Sequence, residues 1–175
     1  MPEPELRGEI VVLRPVRFDD AARLREIHVE PAVAAWWGSM DDDFPFDEPE
    51  SIRFTIWVDG RVGGLVQFGE EDEPDYRHAW IDVFVATEMH GRGVGTDAVR
   101  TVVRHLVEDR GHHRVTIDPT VENVAAVRAY EKAGFSPVGV MRLAERSPEG
   151  RWRDALFMEQ VFPAVVALTS DEESP

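Results

Sequence analysis

The stretch His90-Gly91-Arg92-Gly93-Val94-Gly95 combines residue types and spacing that could do chemistry directly. It follows a β-rich segment and opens an amphipathic one. Its alternating glycines leave successive main-chain N–H groups clear of Cβ atoms. With the partial positive charge of a helix N-terminus added, such a loop makes a site for a pyrophosphate. The same glycines also suit a plain flexible turn. Two familiar phosphate motifs do not fit: Gly91-x-Gly93 would need glycine where Thr96 stands, and no Lys-Ser/Thr pair of a P-loop follows. Upstream lies Asp82, sharing one face of a strand with Trp80 and Phe84, while Ile81, Val83 and Val85 take the other. A carboxylate is costly to bury in an apolar strand. That marks Asp82 either as a proton acceptor or as an acid satisfied by local backbone donors.

Other chemistries are excluded. There is no cysteine, so disulfides, thiolate nucleophiles and thiolate metal sites fall together. His112 and His113 are adjacent, so their side chains diverge, and no further ligand stands at helical spacing. No metal is expected, and the two histidines read as flanking a turn after Gly111.

The elements that must position these residues follow from periodicity. Glu9–Arg17 reads as a strand. Asp19 caps a helix running to about Glu30, which Pro31 stops, and residues 31–50 hold Trp36-Trp37-Gly38 and then an acidic, proline-broken run expected to be a mobile loop. Arg53–Asp59 and Val62–Glu70 form a hairpin about Asp59-Gly60, with a second acidic loop at 70–75. His78–Thr87 is a strand, Val94–Asp109 a helix ending at Gly111, Arg114–Asp118 a strand and Val121–Ala133 a helix closed by Gly134. Phe135–Arg146 and Trp152–Val161 complete the set. The order predicts a mixed α+β (α/β) fold around a partly parallel sheet: a single domain over residues 1–168, with a polar tail from 169 to 175 expected to be disordered.

The chain has 175 residues, a size that favours one domain. Its 19 Lys+Arg against 34 Asp+Glu give a net charge of −15, which repels phosphate backbones and anionic lipid and would draw in a cationic small molecule. No nucleic-acid or membrane partner is expected. Met1-Pro2-Glu3-Pro4-Glu5 lacks the features of a secretory signal, and the longest apolar stretch, Phe162–Leu168, is far short of the roughly 20 residues of a spanning helix. Cytoplasmic location is the expectation.

Taken together, His90-Gly91-Arg92-Gly93-Val94-Gly95 between strand and helix, then Asn123-Val124-Ala125-Ala126, then Tyr130-Glu131-Lys132-Ala133-Gly134-Phe135 resemble the GNAT N-acetyltransferase superfamily over roughly residues 8–162. One departure is His90, where the family usually has Gln or Arg. The resemblance implies a central six- to seven-stranded sheet with splayed middle strands, flanked by about four helices. It also implies acetyl-CoA as cofactor, direct transfer in a ternary complex, and an amine acceptor. By the same resemblance Phe84, Val85 and Ala86 lie along pantetheine. Gly91, Arg92, Gly93, Val94, Gly95 and Thr96 meet the pyrophosphate, and His90, Asn123, Ala126 and Tyr130 complete the coenzyme site. Asp82 becomes the base, Tyr130 the acid for the departing thiolate, and an amide near Val83–Val85 the oxyanion donor.

Within the superfamily, Trp36-Trp37-Gly38, Ile81-Asp82 and Asp118-Pro119 are similar to strings of aminoglycoside 6′-N-acetyltransferases. That likeness makes Trp36, Trp37, Asp82 and Asp118 acceptor-binding residues, and makes the acidic runs at 41–50 and 70–75 the rim of the site. Each has a plainer reading: Asp118-Pro119 is also a common strand-to-helix turn, and the tryptophan pair could be core. Gly150–Glu159 looks more like the general small-molecule and protein N-terminal branch, and Trp36-Trp37-Gly38 also resembles siderophore-pathway acyltransferases. Protein N-termini, polyamines and siderophore precursors therefore stay open as acceptors, as does a non-catalytic acyl-CoA sensor. Either a monomer or a homodimer joined at the last strand is compatible with the sequence.

Overall fold

In the computed structural model, which describes residues 3–166, two short strands, β1 (Leu6–Arg7) and β2 (Val12–Pro15), lead into two helices, α1 (Ala21–His28) and α2 (Pro31–Trp37). Three longer strands follow, β3 (Ile52–Val58), β4 (Arg61–Glu71) and β5 (His78–Val85). Then come α3 (Val94–Glu108), β6 (Arg114–Ile117), α4 (Val124–Ala133), β7 (Ser136–Arg146) and β8 (Trp152–Val161). All eight strands join one sheet in the order β1-β2-β3-β4-β5-β6-β8-β7. Each neighbouring pair is antiparallel except β5 and β6. The strand beyond the expected seven is β1, whose two residues are too short to leave a pattern.

The parallel pair carries the functional geometry. On one side β5 is paired with β4 along its whole length, from Glu71↔His78 to Gly64↔Val85. On the other it meets β6 only at Ala79↔Val115 and Trp80↔Thr116. Beyond Trp80 the two strands part, leaving Ile81–Val85 with an open edge. Strand alternation then sends the two faces of β5 into separate cores. Ile81 joins the larger core beneath α3 and α4, with Phe54, Phe68, Val99, Val102 and Leu106. Phe84 joins a smaller one with Leu24, Ile27, Val33, Phe44 and Leu65 under α1 and α2.

Five expectations need correction. Residues 9–11 do not extend β2; their amides turn onto the Asp97 carboxylate of α3, at 3.1 Å from Glu9, 2.6 Å from Ile10 and 2.9 Å from Val11. Gly8 allows this approach, because a Cβ there would lie 2.4 Å from Asp97 Oδ2. The run 41–50 is packed rather than loose. Phe44 is buried, and the buried Arg53 guanidinium donates to the Pro45 carbonyl at 2.9 Å and to Asp47 at 2.5 Å. Pro31 ends α1 but starts α2, at whose first turn its missing N–H costs nothing. His112 does not flank an exposed turn: its side chain is fully buried and its Nε2 lies 2.6 Å from Glu70. The edge strand is β7, not β8, which is paired on both sides. The expected tail at 169–175 lies outside the described residues.

Candidate active site

The parting of β5 and β6 opens a cleft of about 1320 Å³. Its walls are the exposed edge of β5, the Gly91–Gly95 loop, the first turns of α3 and α4, the C-terminal turn of α2, and the β7–β8 hairpin. Gly91 and Gly93 take left-handed conformations (φ +72° and +79°), and Gly93 is the residue that starts α3. The first-turn amides of Val94, Gly95 and Thr96 have no acceptor within the helix by position. They are the main-chain donors that the glycine spacing led one to expect at this helix start. Arg100, Arg128 and Lys132 line the same α3–α4 side. Asn123 caps α4 by accepting the Ala126 N–H at 3.2 Å, and the Thr96 hydroxyl ties α3 to α4 through the Ala129 carbonyl at 3.3 Å.

The strand side is acidic. Asp82, Asp118, Glu48 and Glu145 all line the cleft, from β5, the end of β6, the packed acidic loop and β7 respectively. Asp82 Oδ1 accepts its neighbour's N–H, from Val83, at 3.0 Å. Burial pushes its pKa up to about 7 against that hydrogen bond, helped by the charges of Asp118, Glu48 and Glu145. Asp118 shifts upward too, through burial and then Glu145. Tyr130 projects from α4, with its ionisation strongly opposed by burial and by Asp82 and Asp118. It remains a neutral hydroxyl donor at any ordinary pH.

The open edge of β5 is capped by side chains. Ala86 N–H donates to Gly63 on the β4 side, so by alternation Val83 and Val85 direct their N–H and C=O groups into the gap. Trp37 Nε1–H donates to the Val83 carbonyl at 3.2 Å, and its ring packs edge-on against Phe84 at 4.8 Å. His90 Nε2 lies 2.7 Å from the Val85 carbonyl, which can only accept, so Nε2 carries the proton. With Val83 N–H turned to Asp82, the Val85 amide is the donor on this edge that faces the gap.

Most residues expected from the sequence thus meet in one cleft: Trp36, Trp37, Asp82, Phe84, Val85, His90, Gly91, Gly93, Val94, Gly95, Thr96, Asp118, Asn123, Ala126 and Tyr130 all line it. Two do not. Ala86 is fully buried in the smaller core, and the Arg92 side chain turns out to Asp59 at 3.2 Å. Nor does the 70–75 loop rim the cleft, since Glu70 is engaged with Arg110 and His112 elsewhere. Sequence reasoning missed Gln67, Glu145 and Arg153. Gln67 is paired across the strands with Asp82 and held by the Arg53 Nε–H at 2.7 Å. A polar residue within an apolar strand, opposite another, was the available signal.

Residues 21–135 match the Acetyltransferase (GNAT) family. The chain belongs to that family, and it is a GNAT N-acetyltransferase. Among its relatives is the aminoglycoside N(6′)-acetyltransferase type 1 of Klebsiella pneumoniae, 36% identical over 90% of this chain and 86% of that protein. The spermidine N(1)-acetyltransferase of Escherichia coli K12 is 24% identical over 85% and 84%. The solved structure of AAC(6′)-Ib with paromomycin and acetyl-CoA superposes with a TM-score of 0.72 at 26% identity, over 89% of this chain and 96% of that one. Among the described residues no helix is long and apolar enough to cross a membrane, and no group of His, Cys, Asp and Glu could hold a metal ion.

Proposed function

We propose that this protein acetylates a primary amine of a polycationic small molecule, with the 6′-amine of an aminoglycoside as first choice, using acetyl-CoA in a ternary complex. The observation that carries the reading is the two-sided cleft: an anion-binding loop with Arg100, Arg128 and Lys132 on one side, and four carboxylates around Asp82 on the other. A phosphate-bearing donor and a cationic acceptor suit opposite sides of such a site. The relation to the 6′-acetyltransferases supports the aminoglycoside choice. Acetylation there would remove a charge from the antibiotic and so confer resistance. The spermidine enzyme among the relatives favours a polyamine as the second reading.

Acetyl-CoA, when bound, supplies an activated thioester. The amides from Gly91 to Thr96 and the α3 N-terminus would hold its pyrophosphate, and the Val85 amide would face the acetyl carbonyl oxygen. An alkylammonium cannot attack until it loses a proton. Asp82, with its pKa near 7, accepts that proton directly or through one water. Tyr130 would face the sulfur of the thioester. Its pKa lies far above that of a thiol, so it would serve as a hydrogen-bond donor to the sulfur and not as a full proton donor. Asp118, Glu48 and the Trp36–Trp37 wall receive the rest of the cation. A base and a hydroxyl facing one cleft argue against a silent acyl-CoA sensor, which requires neither.

The test is thiol release from acetyl-CoA with kanamycin-, tobramycin- and gentamicin-type aminoglycosides, spermidine, an alanine-terminated peptide and hydroxylysine. Saturable turnover of the aminoglycosides at micromolar KM is the expected result. Turnover of spermidine alone selects the polyamine reading. Calorimetric binding of acetyl-CoA without release from any amine rejects the catalytic proposal.

A further inference from the structure

Arg153 is a buried cation in the acidic half of the cleft, and its contacts span that half from side to side. Nη1–H donates to the Ala35 carbonyl of α2 at 2.9 Å, Nη2 pairs with Glu145 of β7 at 2.6 Å, and the guanidinium lies 5.2 Å from the Trp36 ring centroid. Its side chain is 6% exposed. The next residue fixes the partner's place. Asp154 Oδ1 accepts the Leu143 N–H at 2.8 Å, holding the irregularity in β7 where Leu143 takes φ +50°. Past that bulge Glu145 pairs across the strands with Arg153 and lines the cleft, where it also accepts the Thr120 hydroxyl. Arg153 and Asp154 therefore build one wall of the acceptor site and place a carboxylate in it.

We infer that the Arg153–Glu145 pair is the specificity-determining charge pair of the acceptor site. Arg153 straps α2 to β7 and cancels one carboxylate, so the intact pair sets how much positive charge the site favours in the incoming amine. The inference rests on the proposed acetyl transfer to a cation and names what tunes it. Around Asp82 the facing groups are Glu48 from the acidic loop, Asp118 after β6, Tyr130 from α4 and Glu145 from β7, with Gln67 beside it on β4. Glu145 bears on both Asp82 and Asp118. Losing Arg153 leaves its negative charge uncompensated, and losing Glu145 leaves a positive charge instead.

Opposite effects are therefore expected from the two halves of the pair. Arg153→Gln raises the pH midpoint of Asp82 by roughly half a unit or more, and shifts KM in favour of spermidine over the monoamine cyclohexylmethylamine by roughly threefold to tenfold. Glu145→Gln lowers the midpoint and reverses the preference. The double variant Glu145→Gln/Arg153→Gln returns near the wild type in both. The midpoint is read from kcat/KM and from the Asp82 carboxyl 13C resonance, and amine preference also from calorimetric binding, so both remain measurable without turnover. Lost packing alone would move both single variants the same way. Shifts of the same sign, or none, overturn the inference, as does an unchanged amine preference. Should Arg153→Gln not fold, the comparison of Glu145→Gln with the double variant decides it. Amine binding with opposed shifts but no turnover rejects the catalytic proposal and keeps the charge pair.

Discussion

Two carboxylate-rich regions of this molecule use the same residue types to opposite ends. At the far end of β4, Glu70 takes the Arg110 Nε–H at 2.9 Å and a second Arg110 hydrogen bond, with His112 Nε2 at 2.6 Å, while Glu3 takes Arg110 Nη1–H at 3.2 Å. Hydrogen bonding by Arg110 leads the effects that draw the Glu70 pKa down to about 2, against the cost of burial. In the cleft, Asp82 has a single main-chain N–H and three neighbouring carboxylates, and its pKa rises to about 7. Partnered carboxylates hold elements together. A carboxylate left short of partners stores a readiness to take a proton, or a cation, from outside.

The largest effect should come from Asp82→Asn, which removes the proposed proton acceptor while keeping shape. Turnover should fall by about 10²–10⁴-fold at pH 7.5, with acetyl-CoA affinity nearly unchanged by calorimetry. In the wild type, kcat/KM for the amine should rise with pH through about 7 as Asp82 loses its proton. Wild-type turnover in the variant would break the contrast, because the cleft acid would then be structural as well.

At the other region the readout is stability. Glu70→Gln should cost about 1.5 kcal/mol at pH 7, or roughly 3–6 °C in Tm, with unchanged KM for both substrates. Because the folded pKa of Glu70 lies below its ordinary value of 4.5, its contribution is complete above 4.5 and is lost as pH falls through about 2. The two proteins should therefore converge in Tm under acid. Asp82 has the reverse sign: its folded pKa exceeds the ordinary 3.8, so its contribution is complete below 3.8 and is lost as pH rises through about 7. Asp82→Asn should melt with the wild type near pH 4 and above it at pH 8. A loss of Tm at pH 8 would show that the Asp82 charge is compensated in the fold.

The loop, the strand carrying Asp82, and Tyr130 were legible because each is a local pattern: glycine spacing, alternation, and a motif on one helix. What escaped was set by contacts between distant parts of the chain. Asp97 stands in the first turn of α3, yet it holds the amides of residues 9–11 and so delays the start of the expected strand to Val12. Glu145 and Arg153 meet across β7 and β8 because the bulge at Leu143 sets their register, which is a contact between strands and not a local pattern. The acidic loops looked alike in composition. Only the cations opposite them, Arg53 for one and Arg110 for the other, separate a wall of the cleft from a structural clasp.

The smallest effect should belong to the histidines, which repeat the contrast. His112 is fully buried, its pKa lowered chiefly by burial despite its bond to Glu70. His90 is exposed at the cleft and donates to a main-chain carbonyl. Gln can make the same donation from its amide, and the groups proposed to hold the pyrophosphate beside it are main-chain N–H groups that a side-chain exchange leaves in place. His90→Gln should therefore change acetyl-CoA affinity by less than about threefold by calorimetry, well under the tenfold that 1.4 kcal/mol represents. A tenfold loss would mean that the imidazole at Val85 helps hold the coenzyme, and that the departure from Gln or Arg at this position is functional rather than tolerated.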